Sequence, residues 1–131
     1  MDIDSTTQIF AVNYYPPCPD PESEIGLPPH TDPGLMTFLL QNGVDGLEIQ
    51  HEGKWFPVDM IPGTIFVNTA DHIEIVSNGK YKSVWHRSVV NGKKRITLVM
   101  GNGPSPDTSA EPAAPLLRHD PAKYAPMNYM E

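Results

Sequence analysis

Fifteen prolines and ten glycines punctuate this 131-residue chain every few positions. Each proline fixes its φ and removes a backbone donor, and each interior glycine weakens a helix by about 1 kcal/mol. Long helices therefore have nowhere to run. The stretches left between these breaks are short and rich in β-branched and aromatic residues, which is the composition of strands joined by turns.

Gln8 to Tyr15 (QIFAVNYY) reads as the first strand. Pro16, Pro17, Pro19 and Pro21 end it and hold the next segment extended towards Leu27 to Asp32. Gly34 then turns the chain into Leu35 to Gln41, an apolar run short enough to suit a buried strand better than a helix. Further strands are expected at Leu47 to Gln50, Trp55 to Val58, Thr64 to Asn68, Ile73 to Ser77, Lys82 to Val90 and Lys93 to Met100. His51-Glu52-Gly53-Lys54, Pro62-Gly63, Asn78-Gly79 and Asn91-Gly92 separate them. Asn-Gly tolerates positive φ at both positions, so the last two pairs read as hairpin turns. About eight short strands at this spacing predict a mainly β fold, and the double-stranded β-helix, a cupin-like jelly roll, is the architecture expected. The pattern stops at Gly103. The reading is a jelly-roll domain over residues 1–102 and a proline-rich, mostly irregular tail over residues 103–131, with a turn near Leu116-Leu117.

Charge and composition narrow the function. A net charge of −7 argues against a nucleic-acid partner. No apolar run approaches the ~18 residues of a membrane helix, so no membrane partner is expected. Met1-Asp2-Ile3-Asp4 lacks the basic and apolar regions of a secretion signal, and a lone cysteine, Cys18, cannot build an internal disulfide framework. Both point to the cytoplasm. Cys18 has no cysteine or histidine spaced as a zinc partner and reads as an inert thiol. Lys80, Lys82, Lys93 and Lys94 cluster with Arg87 and Arg95, and the lysines read as a solvated hairpin surface.

His30-Thr31-Asp32 carries the first chemical signal, because a His-x-Asp pair with one distant histidine, here His86, is the ligand set of a 2-His-1-carboxylate iron site. Chance alone yields roughly 0.3 such pairs in this composition, so the pair needs its context. A two-residue turn at Asn91-Gly92 would pair Val90 with Lys93, His86 with Thr97 and Ser88 with Arg95. Alternation then puts His86, Ser88, Val90, Lys93, Arg95 and Thr97 on one face. A metal ligand, a guanidinium and hydroxyls on one surface suit an anionic cosubstrate whose other end reaches the metal. Arg87 points to the opposite face and reads as a salt-bridging residue. Asp71-His72 reads as structural. The plainer alternatives are turn residues for His30 and Asp32, a satisfied strand histidine for His86, a sheet-surface charge for Arg95, and packing roles for Thr97, Tyr15 and Asn13.

The segments NYYPPCP, LPPHTDPGL, YKSVWHRSVVN and RIT, in this order, resemble the C-terminal catalytic half of the plant 2-oxoglutarate- and Fe(II)-dependent dioxygenases. The likeness covers essentially Gln8 to Met100, with a weaker echo in KYAPMNYME. It implies that His30, Asp32 and His86 are the catalytic metal ligands. It further implies that Arg95 and Thr97 hold the distal carboxylate of 2-oxoglutarate, with Asn13 and Tyr15 supporting the same cosubstrate. Thr97 stands where serine is usual, keeping the hydroxyl and adding a methyl. The His86 to Arg95 spacing is one residue shorter than the common form. The implied reaction uses Fe(II), 2-oxoglutarate and O2, with ascorbate as reductant, to hydroxylate, desaturate or demethylate a small plant metabolite while releasing succinate and CO2. A truncated non-catalytic product and an ascorbate-using relative are the alternatives. The resemblance also implies an N-terminal region that covers the core sheet and a C-terminal helix that closes the substrate pocket. Neither is expected in this chain, so an uncovered sheet and self-association are. Phe38, Trp85 and Met100 are candidate substrate contacts, with core packing the equal alternative for each.

Overall fold

The computed structural model describes residues 7–128. The predicted signal-free start at Met1-Asp2-Ile3-Asp4 and the last residues, Tyr129-Met130-Glu131, lie outside them. Eight strands form two four-stranded antiparallel sheets. The major sheet has the order β1 (Thr7–Tyr15), β8 (Arg95–Gly103), β3 (Met36–Gln41), β6 (Phe66–Thr69). The minor sheet has the order β2 (Ile25–His30), β7 (His86–Val89), β4 (Leu47–His51), β5 (Lys54–Pro57). Apart from the β4–β5 hairpin, consecutive strands change sheet, and the expected jelly roll results.

Local chemistry explains several of these elements. The β4–β5 hairpin closes on Glu52 (φ 48°) and Gly53 (φ 76°), both in the left-handed region that a two-residue primed turn requires. Pro28 and Pro29 cannot donate to a ladder, and β2 accordingly lies at the edge of its sheet with register shifts against β7. Alternation along β1 and β8 turns Tyr15, Arg95 and Thr97 inward, where all three are buried. Thr37, Leu47 and Ser88 are buried with them, so most of the fully buried side chains between the sheets are polar. Such an interior is built to hold something rather than to act as an oily core.

The apolar residues instead gather on the outer face of the major sheet. Register aligns Phe10 with Met100, Phe38 and Val67 in one row, Val12 with Leu98 and Leu40 in the next, and Tyr14 with Ile96 in a third. Phe10 and Val12 are each 63% exposed. Phe38 and Met100, expected near the substrate, therefore face away from the interior. Trp85 is half-exposed and lines a separate groove of about 770 Å³ beside Ile49, Val84 and Met127.

Four expectations fail, each for a tertiary reason. Ile73 to Ser77 is not a strand: Asp71–Val76 forms helix α1, burying His72 and Ile75 on one side. Its period-two pattern lost to packing and to a well-made C-terminus. There the Gly79 amide donates to the Glu74 carbonyl and the Asn78 amide to the Ile75 carbonyl. Asn78 (φ 53°) and Gly79 (φ 78°) thus end a helix in a Schellman motif rather than turning a hairpin. Asn91-Gly92 is not a hairpin turn either. The Asn91 side chain accepts from the Lys93 amide and donates to the Asp45 carbonyl, and its own carbonyl accepts from the Cys18 amide. That anchored loop carries the chain from the minor sheet to the major one. The lysines do not share a hairpin: Lys82 precedes β7 and pairs with Glu74 at 2.9 Å, while Lys93 lies in the crossing loop.

The tail is better ordered than expected. β9 (Ser109–Ala110) pairs with β10 (Met127–Asn128), and the turn near Leu116 is a 3-10 turn at Leu116–Arg118. The Pro121 carbonyl accepts from the Asn78 side chain, and the Tyr124 hydroxyl donates to Glu74 at 2.6 Å. These bonds tie the tail to α1. Among the described residues no helix is long and apolar enough to cross a membrane.

Candidate metal centre

β2 ends at His30, β7 begins at His86, and these residues are direct neighbours across the ladder. Their ring centroids are 4.2 Å apart. Asp32 lies two residues past the end of β2. Its Oδ1 is 3.6 Å from His30 Nε2 and 3.5 Å from His86 Nε2. Among the described residues these three form a group whose ligand atoms all lie within 4.8 Å of one another. Adjacent donors of an octahedral ion with bonds of about 2.1 Å stand about 3.0 Å apart, so a small inward shift completes one triangular face.

Hydrogen bonds prepare each donor. His30 Nδ1 lies 2.8 Å from the Pro28 carbonyl and His86 Nδ1 lies 2.9 Å from the Val84 carbonyl. A carbonyl only accepts, so each Nδ1 carries a proton and each Nε2 is the nitrogen turned to the centre. Asn68 donates to Asp32 Oδ2 at 3.0 Å, which fixes the carboxylate and leaves Oδ1 for the metal. The neighbouring Thr31 hydroxyl donates to Asp71 at 3.3 Å, and the Asp71 amide donates to the Asp32 carbonyl. Two imidazoles and one carboxylate on one side of an open space fit a divalent transition metal of the facial-triad type.

That space is a cavity of about 90 Å³. His30, Asp32 and His86 line one end, and Tyr15, Ser88 and Thr97 line the other. Arg95, 1% exposed, sits beneath this second end. Its Nη1 donates to Ser88 Oγ at 3.3 Å, its Nε and Nη2 donate to Gln41 Oε1, and Nε also reaches the Val44 carbonyl. The guanidinium lies 5.1 Å from the Tyr15 ring centroid. Tyr15 donates to Ser88 Oγ at 3.2 Å, and Asn13 donates to Thr97 Oγ1 at 3.2 Å. Among the described residues no carboxylate forms a salt bridge with Arg95. Burial pulls its pKa below the usual guanidinium value, against the opposing influence of Tyr15 and the charge of Asp45. A buried cation held only by neutral acceptors is a socket for an anion.

The expected residues therefore meet, by a route the hairpin register did not describe. His86 and Ser88 point inward from the minor sheet, and Arg95 and Thr97 point inward from the major sheet. Arg95 touches Ser88 across the sandwich rather than along a ladder. Its strand partner is Tyr15. Parity was right and partnership was wrong. Asn68 and Gln41 were missed, because nothing in their spacing shows that β6 and β3 bring them to Asp32 and Arg95. Gly46 was missed as well: an added Cβ would lie 2.8 Å from the Val89 carbonyl oxygen and 3.0 Å from Arg95 Cδ. Only glycine lets that loop close over the guanidinium. Arg87, as expected, takes no part; it binds Glu48 at 2.7 Å and covers the Trp55 ring at 4.4 Å.

Fold and site together define a jelly-roll protein whose described residues bring a candidate His-Asp-His metal centre beside a buried guanidinium. The chain belongs to the 2OG-Fe(II) oxygenase superfamily, whose family model matches residues 6–103. It is 46% identical over 114 residues to 2-oxoglutarate-dependent dioxygenase 19 of Oryza sativa subsp. japonica, covering 86% of this chain and 34% of that protein. It is 44% identical over 127 residues to flavanone 3-dioxygenase 2 of the same organism, covering 95% and 37% respectively. A crystal structure of JOX2 in complex with 2OG, Fe and JA superposes with a TM-score of 0.89 at 42% identity, over 94% of this chain and 37% of that one. The chain thus spans about a third of the length of the relatives it matches.

Proposed function

We propose that this chain is the catalytic core of an Fe(II)- and 2-oxoglutarate-dependent dioxygenase that oxidises a small plant metabolite. The observation that carries the reading is one cavity lined by His30, Asp32 and His86 and by Tyr15, Ser88 and Thr97, with the buried Arg95 guanidinium directly behind Ser88 and Tyr15. A dianion with a carboxylate at each end matches that polarity. The distal carboxylate takes the Arg95 fork and the Thr97 hydroxyl, and the keto-acid end meets the metal. Asn13 orients Thr97, and Tyr15 with Ser88 closes the socket from the side. Fe(II) in this triad would supply the activation of O2 that couples keto-acid decarboxylation to substrate oxidation. The balance is 2-oxoglutarate, O2 and R–H consumed, with succinate, CO2 and R–OH formed. Desaturation or demethylation uses the same oxidising equivalents, and ascorbate keeps the iron reduced.

The protein's own contribution is positional. Backbone carbonyls orient the His30 and His86 rings through Nδ1, and Asn68 aims Asp32. The catalytic unit read from the sequence is residues 1–102, and the described part of the tail after it braces α1 through Pro121 and Tyr124. Relatives from rice, Arabidopsis and basil support a plant metabolite as substrate. A free Cys18 and a net charge of −7 support a cytoplasmic protein that binds neither nucleic acid nor membrane. The outer apolar rows of the major sheet support self-association of the isolated chain.

Anaerobic addition of Fe(II) and 2-oxoglutarate tests the function. A weak metal-to-ligand charge-transfer absorption is expected, followed on admitting O2 by succinate. A folded protein that yields neither overturns the reading.

A further inference from the structure

The cavity that holds the triad does not end at the metal. A second cavity of about 190 Å³ adjoins it, and the two share Ala11, Asp32, Thr37 and Val99 as a common wall. Ile9, Pro33 and Gly101 complete the second cavity. Its position follows from register along the inner face of the major sheet. Arg95 lies beside Tyr15, Thr97 beside Asn13 and Gln41, Val99 beside Ala11 and Leu39, and Gly101 beside Ile9 and Thr37. The inner face thus passes from charged, through polar, to apolar and small.

Gly101 is the odd member of that series. Glycine is depleted inside strands, because it costs backbone entropy and offers nothing to pack, unless something must approach closely. Here no left-handed backbone demands it, since Gly101 is not among the glycines with positive φ. Nor does a tight neighbour, because an added Cβ would meet only the Ile9 carbonyl oxygen, at 4.0 Å. The backbone therefore accepts a side chain at this position, and the side chain would project into the second cavity.

Resting on the dioxygenase reading above, we propose that Gly101 is a specificity-determining residue: its missing side chain leaves a receptor for the reacting end of the substrate, which is one uncharged ring or an alkyl group of that bulk. The size follows from the volume, since an apolar cavity of about 150 Å³ is enough to bind benzene. The lack of charge follows from the lining, where Asp32, committed to the metal, is the one ionisable group. Asp32 also puts the occupant next to the metal, where a C–H bond must lie to be oxidised.

Benzyl alcohol, a neutral single-ring probe, tests this with Mn(II) in place of iron and saturating 2-oxoglutarate. The readout is paramagnetic relaxation of its ring protons by the bound Mn(II), which requires proximity rather than turnover. Wild-type protein should relax them strongly. Gly101→Leu should weaken the effect by about tenfold or more and Gly101→Ala by about half, with Mn(II) and 2-oxoglutarate affinities unchanged, as filling an apolar pocket by a few methylenes predicts. Gly92→Leu, at a glycine with nothing within 4 Å of an added Cβ, should behave as wild type. Ring protons untouched in wild-type protein that does bind Mn(II) and 2-oxoglutarate overturn this inference alone. An unchanged effect in folded Gly101→Leu does the same, and should that variant not fold, an unchanged effect in Gly101→Ala decides equally. Wild-type protein that binds neither Mn(II) nor 2-oxoglutarate overturns the dioxygenase reading and this inference with it.

Discussion

Arg95→Lys separates a charge from a fork. The guanidinium makes four hydrogen bonds to three neutral acceptors: Gln41 Oε1 at 3.3 and 3.2 Å, the Val44 carbonyl at 3.2 Å and Ser88 Oγ at 3.3 Å. Gln41 and Val44 lie on one side of it and Ser88, across the sandwich, on the other. A compact ammonium cannot span both. At least one acceptor loses its donor, at a cost of about 1–3 kcal/mol of stability. For a chain of this size that lowers Tm by about 3–12 °C. The larger effect falls on the cosubstrate. Exchanging a two-bond grip on a carboxylate for a one-bond grip removes one charge-assisted hydrogen bond, about 1.5–3 kcal/mol, so the 2-oxoglutarate Kd should rise by about 10- to 150-fold. The triad is at the other end of the cavity, so Mn(II) affinity should not change. Calorimetric titration of 2-oxoglutarate into the Mn(II)-loaded protein, with free Mn(II) followed by electron paramagnetic resonance, reads both quantities. A folded Arg95→Lys protein whose 2-oxoglutarate Kd stays within about threefold of wild type refutes the socket, because a fork and a point charge would then be equivalent there. A parallel loss of Mn(II) affinity refutes the separation of the two ends.

Three further outcomes are expected. Asn68→Ala removes the donor to Asp32 Oδ2 and should weaken Mn(II) binding by about 10- to 100-fold while 2-oxoglutarate still binds the metal-loaded protein, measured in the same titrations. Stability should fall in acid in two stages. Burial lowers the His72 pKa from its usual 6.5 against the charge of Asp71, so the unfolded chain takes up this proton first and the stabilisation present above pH 6.5 is lost as pH falls through the folded value. Burial alone would raise Glu74, but hydrogen bonds from Tyr124, Lys82 and the Ser83 amide outweigh it and hold the carboxyl below 4.5, so its stabilisation is lost at lower pH still. Thermal melts across this range should show both declines, and His72→Gln should remove the first; a flat Tm between pH 7 and 5 contradicts the assignment. Finally, the isolated chain should associate with rising concentration through Phe10, Val12 and their row partners, and Phe10→Lys with Val12→Lys should raise the monomer fraction in sedimentation. A clean wild-type monomer with a sharp cooperative melt would remove that expectation.

What the amino-acid sequence determined by itself was local: which residues alternate, where strands stop, and which side chains could bind a metal or an anion. His30, Asp32 and His86 were legible because donor chemistry and motif order are written in residue identity. The inward direction of Arg95 and Thr97 was legible because strand parity survives any choice of partner. What only the tertiary structure decided was partnership. Periodicity says which face a strand buries but not against what. So the chain at Asn91-Gly92 could be read as a hairpin when its loop, anchored to Cys18, Asp45 and its own Asn91 side chain, carries it to the opposite sheet. The helix at Asp71–Val76 was hidden for the same reason, since Ile73 to Ser77 alternate like a strand while the Schellman end and the buried His72 and Ile75 choose the helix. Asn68, Gln41 and Gly46 reach Asp32 and Arg95 from strands and loops far away in sequence, and no local signal marks them. The His-Asp-His donor set is a property of residue type, whereas the buried guanidinium beside it exists only because two sheets close on a group that neither could bury alone.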